Sequence, residues 1–242
     1  MNRGITSALV LVLLVLVVAG CSGTQEPQQK PGAAATYNDG TYTAVSDADD
    51  HGYGLATVTI SADKITKVDL KEFIETGAEK DFDTYKYEPS VQANQEMAQR
   101  IVKANSIHVD DYTKATSSST KYKQAVARAL DKAKTKPAVT TEYFDGVFLG
   151  KSEADDHGYA LALVTMENDQ VKEVVLQEVT ETGEFKDHST YPKKEVVAAH
   201  EELPAKFVET NGGPVDNVSG ATHTTAKWNQ AVQNALELAK VR

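Results

Sequence analysis

The sequence predicts an α+β fold of two tandem homologous domains, each a small antiparallel sheet packed against helices. Three observations predict it. From Tyr37 onward the chain repeats itself at a fixed offset of 106 residues. Each copy contains short alternating strand patterns separated by turn residues. Each copy also ends in an amphipathic helical pattern, and its length of about a hundred residues is common for an independent domain.

The repeat is clearest in residues 48–60, which return as residues 154–166 with ten of thirteen positions identical. The tripeptide Glu-Thr-Gly at 75–77 returns at 181–183, and Asn105 returns as Asn211. We therefore place the first domain at residues 37–134 and the second at 143–242. Residues 135–142 form the linker.

Each copy opens with an Asp-Gly turn, at 39–40 and 145–146, followed by a short strand near 41–45 and 147–150. Alternation over 53–60 and 65–70 predicts two further strands joined by a turn at Ala62-Asp63, whose place residues 167–169 take in the second copy. Residues 91–104 then have helical spacing.

The last helix of each copy has one apolar stripe at helical spacing, which predicts packing against the sheet. The stripe residues are Tyr122, Ala125, Val126, Ala129, Leu130 and Ala133 in the first copy, and Trp228, Ala231, Val232, Ala235, Leu236 and Ala239 in the second. In the second copy the helical pattern runs from His223 to Lys240.

Residues 1–20 resemble a signal peptide, because a weakly positive start at Arg3 precedes an apolar run over 8–18 that is too short to span a bilayer. The small residues before Cys21, the only cysteine, resemble the lipobox of bacterial lipoproteins. We expect Cys21 to be lipidated and residues 22–36, rich in Gln, Pro and Gly, to be a flexible tether. The alternative is an uncleaved anchor with an incidental cysteine.

The net charge and the single cysteine limit the classes of function that the protein can have. The net charge is −10 and becomes −11 without residues 1–20, which contain one charged residue, Arg3. This acidity argues against nucleic-acid binding and against electrostatic adhesion to anionic lipid. With Cys21 lipidated, no thiol chemistry remains. A redox function would therefore need a cofactor, and the protein would work at the extracellular face of the cell membrane.

The segment 216–222, Asp-Asn-Val-Ser-Gly-Ala-Thr, stands directly before the last helical pattern. Its glycine permits close approach of another molecule, its hydroxyls can accept or bind a group, and the helix N-terminus favours an anion. These features suit a phosphate. The alternative is an ordinary loop with a capping hydroxyl.

This segment resembles the flavinylation motif of the FMN-binding domain family, Asp-x-x-Ser/Thr-Gly-Ala-Thr. The resemblance implies that Thr222 bears FMN through a phosphoester, installed by a Mg-dependent flavin transferase that uses FAD. Thr224 and Thr225 are the rival hydroxyls. The implied cofactor-binding residues are Asp216, Ser219, Gly220, Ala221 and Thr222, with Asp110, Thr113, Ala115 and Thr116 at the same offset in the first copy.

The first copy departs from the motif only at Lys114, where the second copy has Gly220. Either Lys114 blocks the transferase, or a lysine beside the phosphate is tolerated or helpful. We favour a second flavin at Thr116.

The repeated Asp-Asp-His-Gly-Tyr segment also has two interpretations. His51 and His157, or Tyr53 and Tyr159, could line the flavin, because His titrates near neutral pH and an aromatic ring can stack. Alternatively the segment is a turn that leads into a strand. A metal site is not expected, since no second cluster of ligands completes the coordination shell.

Lipid anchor, tether and tandem domains together resemble the lipoproteins of flavin-based extracellular electron transfer in Gram-positive bacteria. The resemblance implies an electron carrier rather than a conventional enzyme. A membrane NADH dehydrogenase and quinone pool would supply electrons to the flavins, which would reduce external acceptors such as ferric iron. Two alternatives remain: an electron donor to a specific extracellular reductase, and a non-redox surface lipoprotein.

Overall fold

The computed structural model describes residues 35–242. The predicted signal peptide, the lipidation site Cys21 and all of the tether before residue 35 lie outside the described residues. Within residues 35–242 no helix is both long enough and apolar enough to cross a membrane.

The two domains have the same order of strands and α-helices, and the second has an additional 3-10 helix. The first contains β1 (Gly40–Val45), β2 (Tyr53–Ser61), β3 (Lys64–Phe73), α1 (Glu88–Ala104) and α2 (Thr116–Ala133). The second contains β4 (Gly146–Lys151), β5 (Tyr159–Glu167), β6 (Gln170–Val179), a short 3-10 helix (His188–Thr190), α3 (Lys194–Glu209) and α4 (Thr222–Ala239).

Each sheet is antiparallel, with strand orders β1-β2-β3 and β4-β5-β6. The repeat extends to the irregularities, because a bulge interrupts β2 between Thr59 and Ile60 and β5 between Thr165 and Met166. The predicted α+β fold of two tandem domains is therefore confirmed.

The terminal helices pack as their apolar stripes predict. Tyr122 of α2 and Trp228 of α4 are fully buried against their sheets. On the strands, alternate residues such as Ala56, Val58 and Ile60 point into the same core. The period of two in the strand and the period near 3.6 in the helix thus place both apolar faces in contact.

Element boundaries differ from the sequence prediction in three places. Helix α1 begins at Glu88 rather than near residue 91, because Pro89 occupies the first turn, where its missing N–H is not needed. Strand β3 continues to Phe73, paired with Tyr53. Helix α4 begins at Thr222, so the candidate acceptor residue is itself the first helical residue.

The two domains meet around Arg128. Its guanidinium donates to the carbonyl oxygens of Val45 and Asp145 at 2.9 and 2.7 Å and pairs with Asp47 at 2.6 Å. The guanidinium lies over the ring of Phe148, with its carbon 4.9 Å from the ring centroid. Because Asp145 and Phe148 belong to the second domain, Arg128 joins the end of α2 to the first strand of the next domain.

A second contact joins the domains near the Glu-Thr-Gly turn of the first domain. Tyr159 donates its hydroxyl to the carbonyl of Thr76 at 2.9 Å, and the Lys151 ammonium lies 3.9 Å from the Tyr159 ring centroid. A Cβ on Gly77 would lie 3.1 Å from Leu161, whereas the equivalent Gly183 has open space around it. The turn of the first domain is therefore part of the junction.

Candidate functional site

The loop before α4 places Thr222 at the start of the helix. Gly220 has a left-handed backbone with φ of +82°, and Ala221 is the N-cap residue with its N–H bonded to the Val218 carbonyl at 2.9 Å. The first N–H groups of a helix have no intrahelical acceptor and lie at the positive end of the helix dipole. The Thr222 hydroxyl therefore stands where a phosphate would be stabilised.

The structure distinguishes Thr222 from Thr225, one of its two rivals, while the other, Thr224, lines the same cavity. Thr222 is exposed, whereas Thr225 is fully buried. The Thr225 hydroxyl donates to the Ala221 carbonyl at 2.9 Å and accepts the Val218 N–H at 3.4 Å, so it holds the loop against the helix. Ser119 performs the same role in the first domain, toward Ala115 and Tyr112.

Thr222 borders a cavity of about 360 Å³ in the second domain. Such a volume is in the range of cofactor pockets. The lining comes from the Asp-Asp-His loop, β6 and the segment after it, α3, and the motif itself. The lining residues are Asp155, Asp156, His157, Glu178, Lys186, Tyr191, Lys193, Val196, Gly220, Ala221, Thr222, His223, Thr224 and Lys227.

The cavity contains cations suited to an anionic group. Lys227 donates to Asp155 at 2.5 Å and to the Gly158 carbonyl at 3.0 Å, which fixes the Asp-Asp-His loop against α4. The Lys227 hydrogen bond lowers the pKa of the Asp155 carboxyl, and the His157 N–H lowers it further. Lys186 and Lys193 line the same wall. A phosphate monoanion bound near Thr222 would thus have lysines around it.

Glu178 lines the second cavity, and the sequence patterns did not predict it as a site residue. It is almost fully buried, and Lys186 and His188 contact its two carboxylate oxygens at 3.1 and 3.0 Å. Burial raises the pKa of Glu178, but the His188 and Lys186 contacts outweigh it and hold the pKa below its ordinary value. The repeat contained a signal for this residue, because the glutamate and the lysine recur as Glu72 and Lys80.

The first domain has an equivalent cavity of about 250 Å³. Thr116 is exposed at the start of α2, and Glu72 pairs with Lys80 as in the second domain. The other Glu72 oxygen, Oε1, is buried and has no hydrogen-bond partner in the part of the chain that the structure describes. A flavin ring has an N–H donor that would satisfy such an oxygen, so this cavity fits the cofactor that the motif implies.

Two tyrosines give the first cavity an aromatic wall. Tyr85 and Tyr87 line it, and both are exposed aromatic side chains. The Lys80 ammonium lies 4.5 Å from the Tyr85 ring centroid. An exposed aromatic face beside an exposed threonine suits a planar heteroaromatic ring.

Lys114 keeps the loop conformation that glycine has in the second domain. Its φ is +67°, close to the +82° of Gly220, and its carbonyl accepts the Tyr87 hydroxyl at 2.8 Å. The left-handed conformation destabilises a residue with a side chain by roughly 1–2 kcal/mol. The first motif loop therefore keeps the left-handed backbone of the second at this position despite its lysine.

Both interpretations of the Asp-Asp-His-Gly-Tyr segments apply, because their residues contribute to the cavity lining and also form a turn before a strand. His51 and His157 line the two cavities. Asp49 forms the turn by accepting the His51 N–H at 2.8 Å. The Lys121 ammonium holds that turn by donating to the Asp49 carboxylate at 2.6 Å. Tyr53 instead stacks on Phe73, with ring centroids 4.8 Å apart, and burial raises its pKa to about 12. Tyr159 lies at the domain junction.

Four of the remaining motif residues lie on the loops and outside the cavity linings. Asp216 and Ser219 are exposed, as are Asp110 and Thr113 in the first domain. The Asp110 carbonyl accepts an Arg100 N–H at 3.1 Å. Ala115 and Ala221 are buried N-cap residues that line their cavities.

Comparison with known proteins identifies the family. The FMN-binding domain model matches residues 52–131 and 158–237, which together make up more than half of the chain. The chain therefore belongs to the FMN-binding domain family and contains two such domains in tandem, which indicates a flavin-binding function in electron transfer. The sequence-based assignment to this family is confirmed.

Similarity to solved structures extends over part of the chain. One of them is a crystal structure of a protein from Clostridium perfringens, 30% identical, with a TM-score of 0.35. The match covers 40% of this chain and 88% of the other. No curated protein sequence matches the chain.

Proposed function

We propose that this protein is a membrane-anchored extracellular electron carrier with FMN covalently attached at Thr222 and at Thr116. The observation on which the proposal depends is the position of Thr222: an exposed hydroxyl at the N-terminus of α4, on the wall of a cavity that also contains lysines. A phosphoester at this hydroxyl would keep its negative charge beside the helix dipole and the ammonium groups.

Covalent attachment suits the expected location. The lipobox at Cys21 and the tether up to residue 36 support a position outside the cell, where a dissociated cofactor is lost by dilution. FMN supplies a ring that accepts and releases electrons. The chain contributes the acceptor hydroxyl, a buried glutamate and lysine pair, and the aromatic or imidazole walls around the ring.

A role in extracellular electron transfer follows from this arrangement. We infer that a membrane NADH dehydrogenase and quinone pool supply the electrons, and that external acceptors such as ferric iron take them. Thr116 and Thr222 are exposed at the walls of their cavities, so a flavin attached there would be accessible to a separate donor and acceptor.

Electron transfer to a free iron chelate tests this proposal. Mature protein co-expressed with a flavin transferase is reduced anaerobically with dithionite, desalted and mixed with ferric citrate. We expect flavin absorbance at about 450 nm to return without any partner protein. A Thr116→Val, Thr222→Val protein should show no signal, and Thr140→Val, a change at an exposed linker threonine, should react like the wild type.

Two outcomes would contradict the proposal. A wild-type protein without flavin after co-expression would exclude covalent attachment. A flavinylated protein that stays reduced in ferric citrate would exclude the free carrier and favour donation to a specific reductase.

A further inference from the structure

His188 and His200 stack on each other behind Glu178, a residue of the second cavity. Their ring centroids are 4.0 Å apart and the rings are nearly parallel, at 8°. His188 Nε2 lies 3.0 Å from Glu178 Oε2, and His200 Nε2 lies 2.8 Å from the Leu176 carbonyl oxygen. Because both acceptors are oxygens, each Nε2 bears its hydrogen and Nδ1 is the nitrogen that can take a further proton.

The charged groups around this pair come from three elements. Glu178 is on β6, Lys186 lies in the segment after β6, and Glu201 on α3 acts on His200 together with Glu178. From α4 the neighbour is Trp228, an uncharged ring with its centroid 5.9 Å from His188 and 5.7 Å from His200. The pair thus faces carboxylates and one ammonium.

Stacked imidazoles repel each other when both are protonated, so their titrations are coupled. Burial lowers the pKa of His200 from its ordinary value of 6.5. The charge of His188 lowers it further, against the opposing effects of the Leu176 hydrogen bond and of Glu178 and Glu201. Burial and the neighbouring ring both disfavour a charged His200, so a more negative charge nearby would favour proton uptake there.

The first domain has the same framework without the imidazoles. Phe82 and Asn94 stand at the equivalent positions. Asn94 Nδ2 donates to the Leu70 carbonyl at 3.0 Å, the counterpart of the His200 contact with Leu176. An asparagine thus meets the structural requirement at this position. What the second domain gains from histidine is a group that can bind a proton.

We propose that His188 and His200 store a proton for the flavin at Thr222 and set the pH dependence of its reduction, a function that the first domain lacks. This inference rests on the proposed function. Uptake of two electrons from a quinol-class donor and of one proton from solvent would make the net charge of the flavin ring more negative by one unit. The pair then binds a second proton from solvent at an Nδ1 atom, and Glu178 transmits the change in charge between ring and pair.

The test measures the midpoint potential of each flavin against pH. A Thr116→Val protein has flavin only in the second domain, and a Thr222→Val protein only in the first. Near neutral pH we expect the second-domain potential to fall more steeply with pH than the first, by a factor of up to about two where the pair takes up a full second proton on reduction.

Exchange of the equivalent residues gives matched variants. His188→Phe with His200→Asn introduces the first-domain residues and should reduce the slope to the one-proton value. Phe82→His with Asn94→His should raise the first-domain slope. His108→Asn, at an exposed histidine that lines neither cavity, is the control. Equal slopes in the parent and in the His188, His200 variant would overturn the proposal.

A second measurement needs no flavin. In the Thr116→Val, Thr222→Val protein, the ring signals of the histidines are followed by NMR as pH changes. His188→Phe should move the titration of His200 to higher pH, because it removes the neighbouring charge. If the titration of His200 is unchanged in this variant, the proposed coupling between the two histidines is wrong. Absence of flavin in the Thr116→Val protein, seen by mass, would instead contradict the proposed function.

Discussion

Lys114 and Gly220 occupy equivalent positions, 106 residues apart, and both have a left-handed backbone, with φ of +67° and +82°. A lysine that keeps a glycine conformation shows that the first motif loop retains its shape. The residue that approaches Gly220, Glu195, is replaced by Pro89 in the first domain.

Substitution of Gly220 by alanine should destabilise the second domain more than substitution of Gly183. Both glycines have left-handed φ values, +82° and +85°. A Cβ at Gly220 would lie 2.7 Å from Glu195 Cγ, whereas Gly183 has nothing within 4 Å. We expect Gly183→Ala to reduce the free energy of unfolding by about 1 kcal/mol and Gly220→Ala by more. Urea titration measures both.

Glu195→Ala is the control for this comparison. In that background the difference between the two glycine substitutions should become smaller, since the 2.7 Å contact with Glu195 Cγ is removed and only the 3.0 Å contact with Cβ remains. A Gly220→Ala protein as stable as the Gly183→Ala protein in the wild-type background would contradict the contact.

Lys114→Gly should stabilise the first domain by about 1 kcal/mol, because it removes the left-handed strain of a residue with a side chain. It should leave the flavin at Thr116 in place. Denaturant unfolding measures the first effect and peptide mass the second. Flavin on Thr116 only after Lys114→Gly would mean that the lysine blocks the transferase.

Arg128→Asn should weaken the junction between the domains by about 3 kcal/mol, because it removes a buried cation that contacts Asp47 and two carbonyls. We expect one cooperative thermal transition to separate into two, as followed by calorimetry. Asn234, the second-domain counterpart, bonds the Lys151 carbonyl at 2.7 Å. Asn234→Ala should leave a single transition, and a single transition in Arg128→Asn would show that the domains are coupled elsewhere.

Asp131→Asn should destabilise the protein at neutral pH by about 2 kcal/mol. The carboxylate accepts the N–H groups of Ala138 and Val139, both at 3.0 Å, and pairs with Lys134. Burial raises the pKa of Asp131, but these contacts outweigh it and the net pKa is below the ordinary 3.8. The stabilisation is therefore present above pH 3.8 and is lost as pH falls through the folded-state pKa.

Thermal unfolding of both proteins at a series of pH values measures this effect. The difference between wild type and Asp131→Asn should be largest at neutral pH and vanish in strong acid. Glu237→Gln, the counterpart in the second domain, is the control, because Glu237 is exposed and its salt bridge among the described residues is with Lys240 at the helix end. A constant difference at all pH values would contradict the role of the charge.

The sequence predicted the repeat, the strands and the terminal helices because each depends on local periodicity and on turn residues. The turn at Ala62-Asp63 is an example, with both residues left-handed at φ of +50° and +63°. The motif threonines were also predictable, because their neighbours are contiguous in sequence. Apolar spacing alone starts α1 near residue 91, whereas the helix begins at Glu88, because a proline such as Pro89 fits the first turn of a helix.

The walls of the cavities were not predictable in the same way. Glu178 of the second cavity and the two imidazoles behind it, His188 and His200, come from a strand, a 3-10 helix and α3, and only tertiary folding brings them together. The junction around Arg128 likewise depends on contacts between residues of different domains. Comparison of the two copies indicates that Glu72 and Glu178 are equivalent residues. It does not indicate which cavity each of them lines.

The intact mass of the mature protein tests the central claim most directly. Protein co-expressed with a flavin transferase should show two FMN increments, one of which is lost in Thr222→Val and the other in Thr116→Val. A single increment that disappears with Thr222→Val would restrict the cofactor to the second domain. No increment, or increments that remain in both variants, would contradict attachment at these threonines.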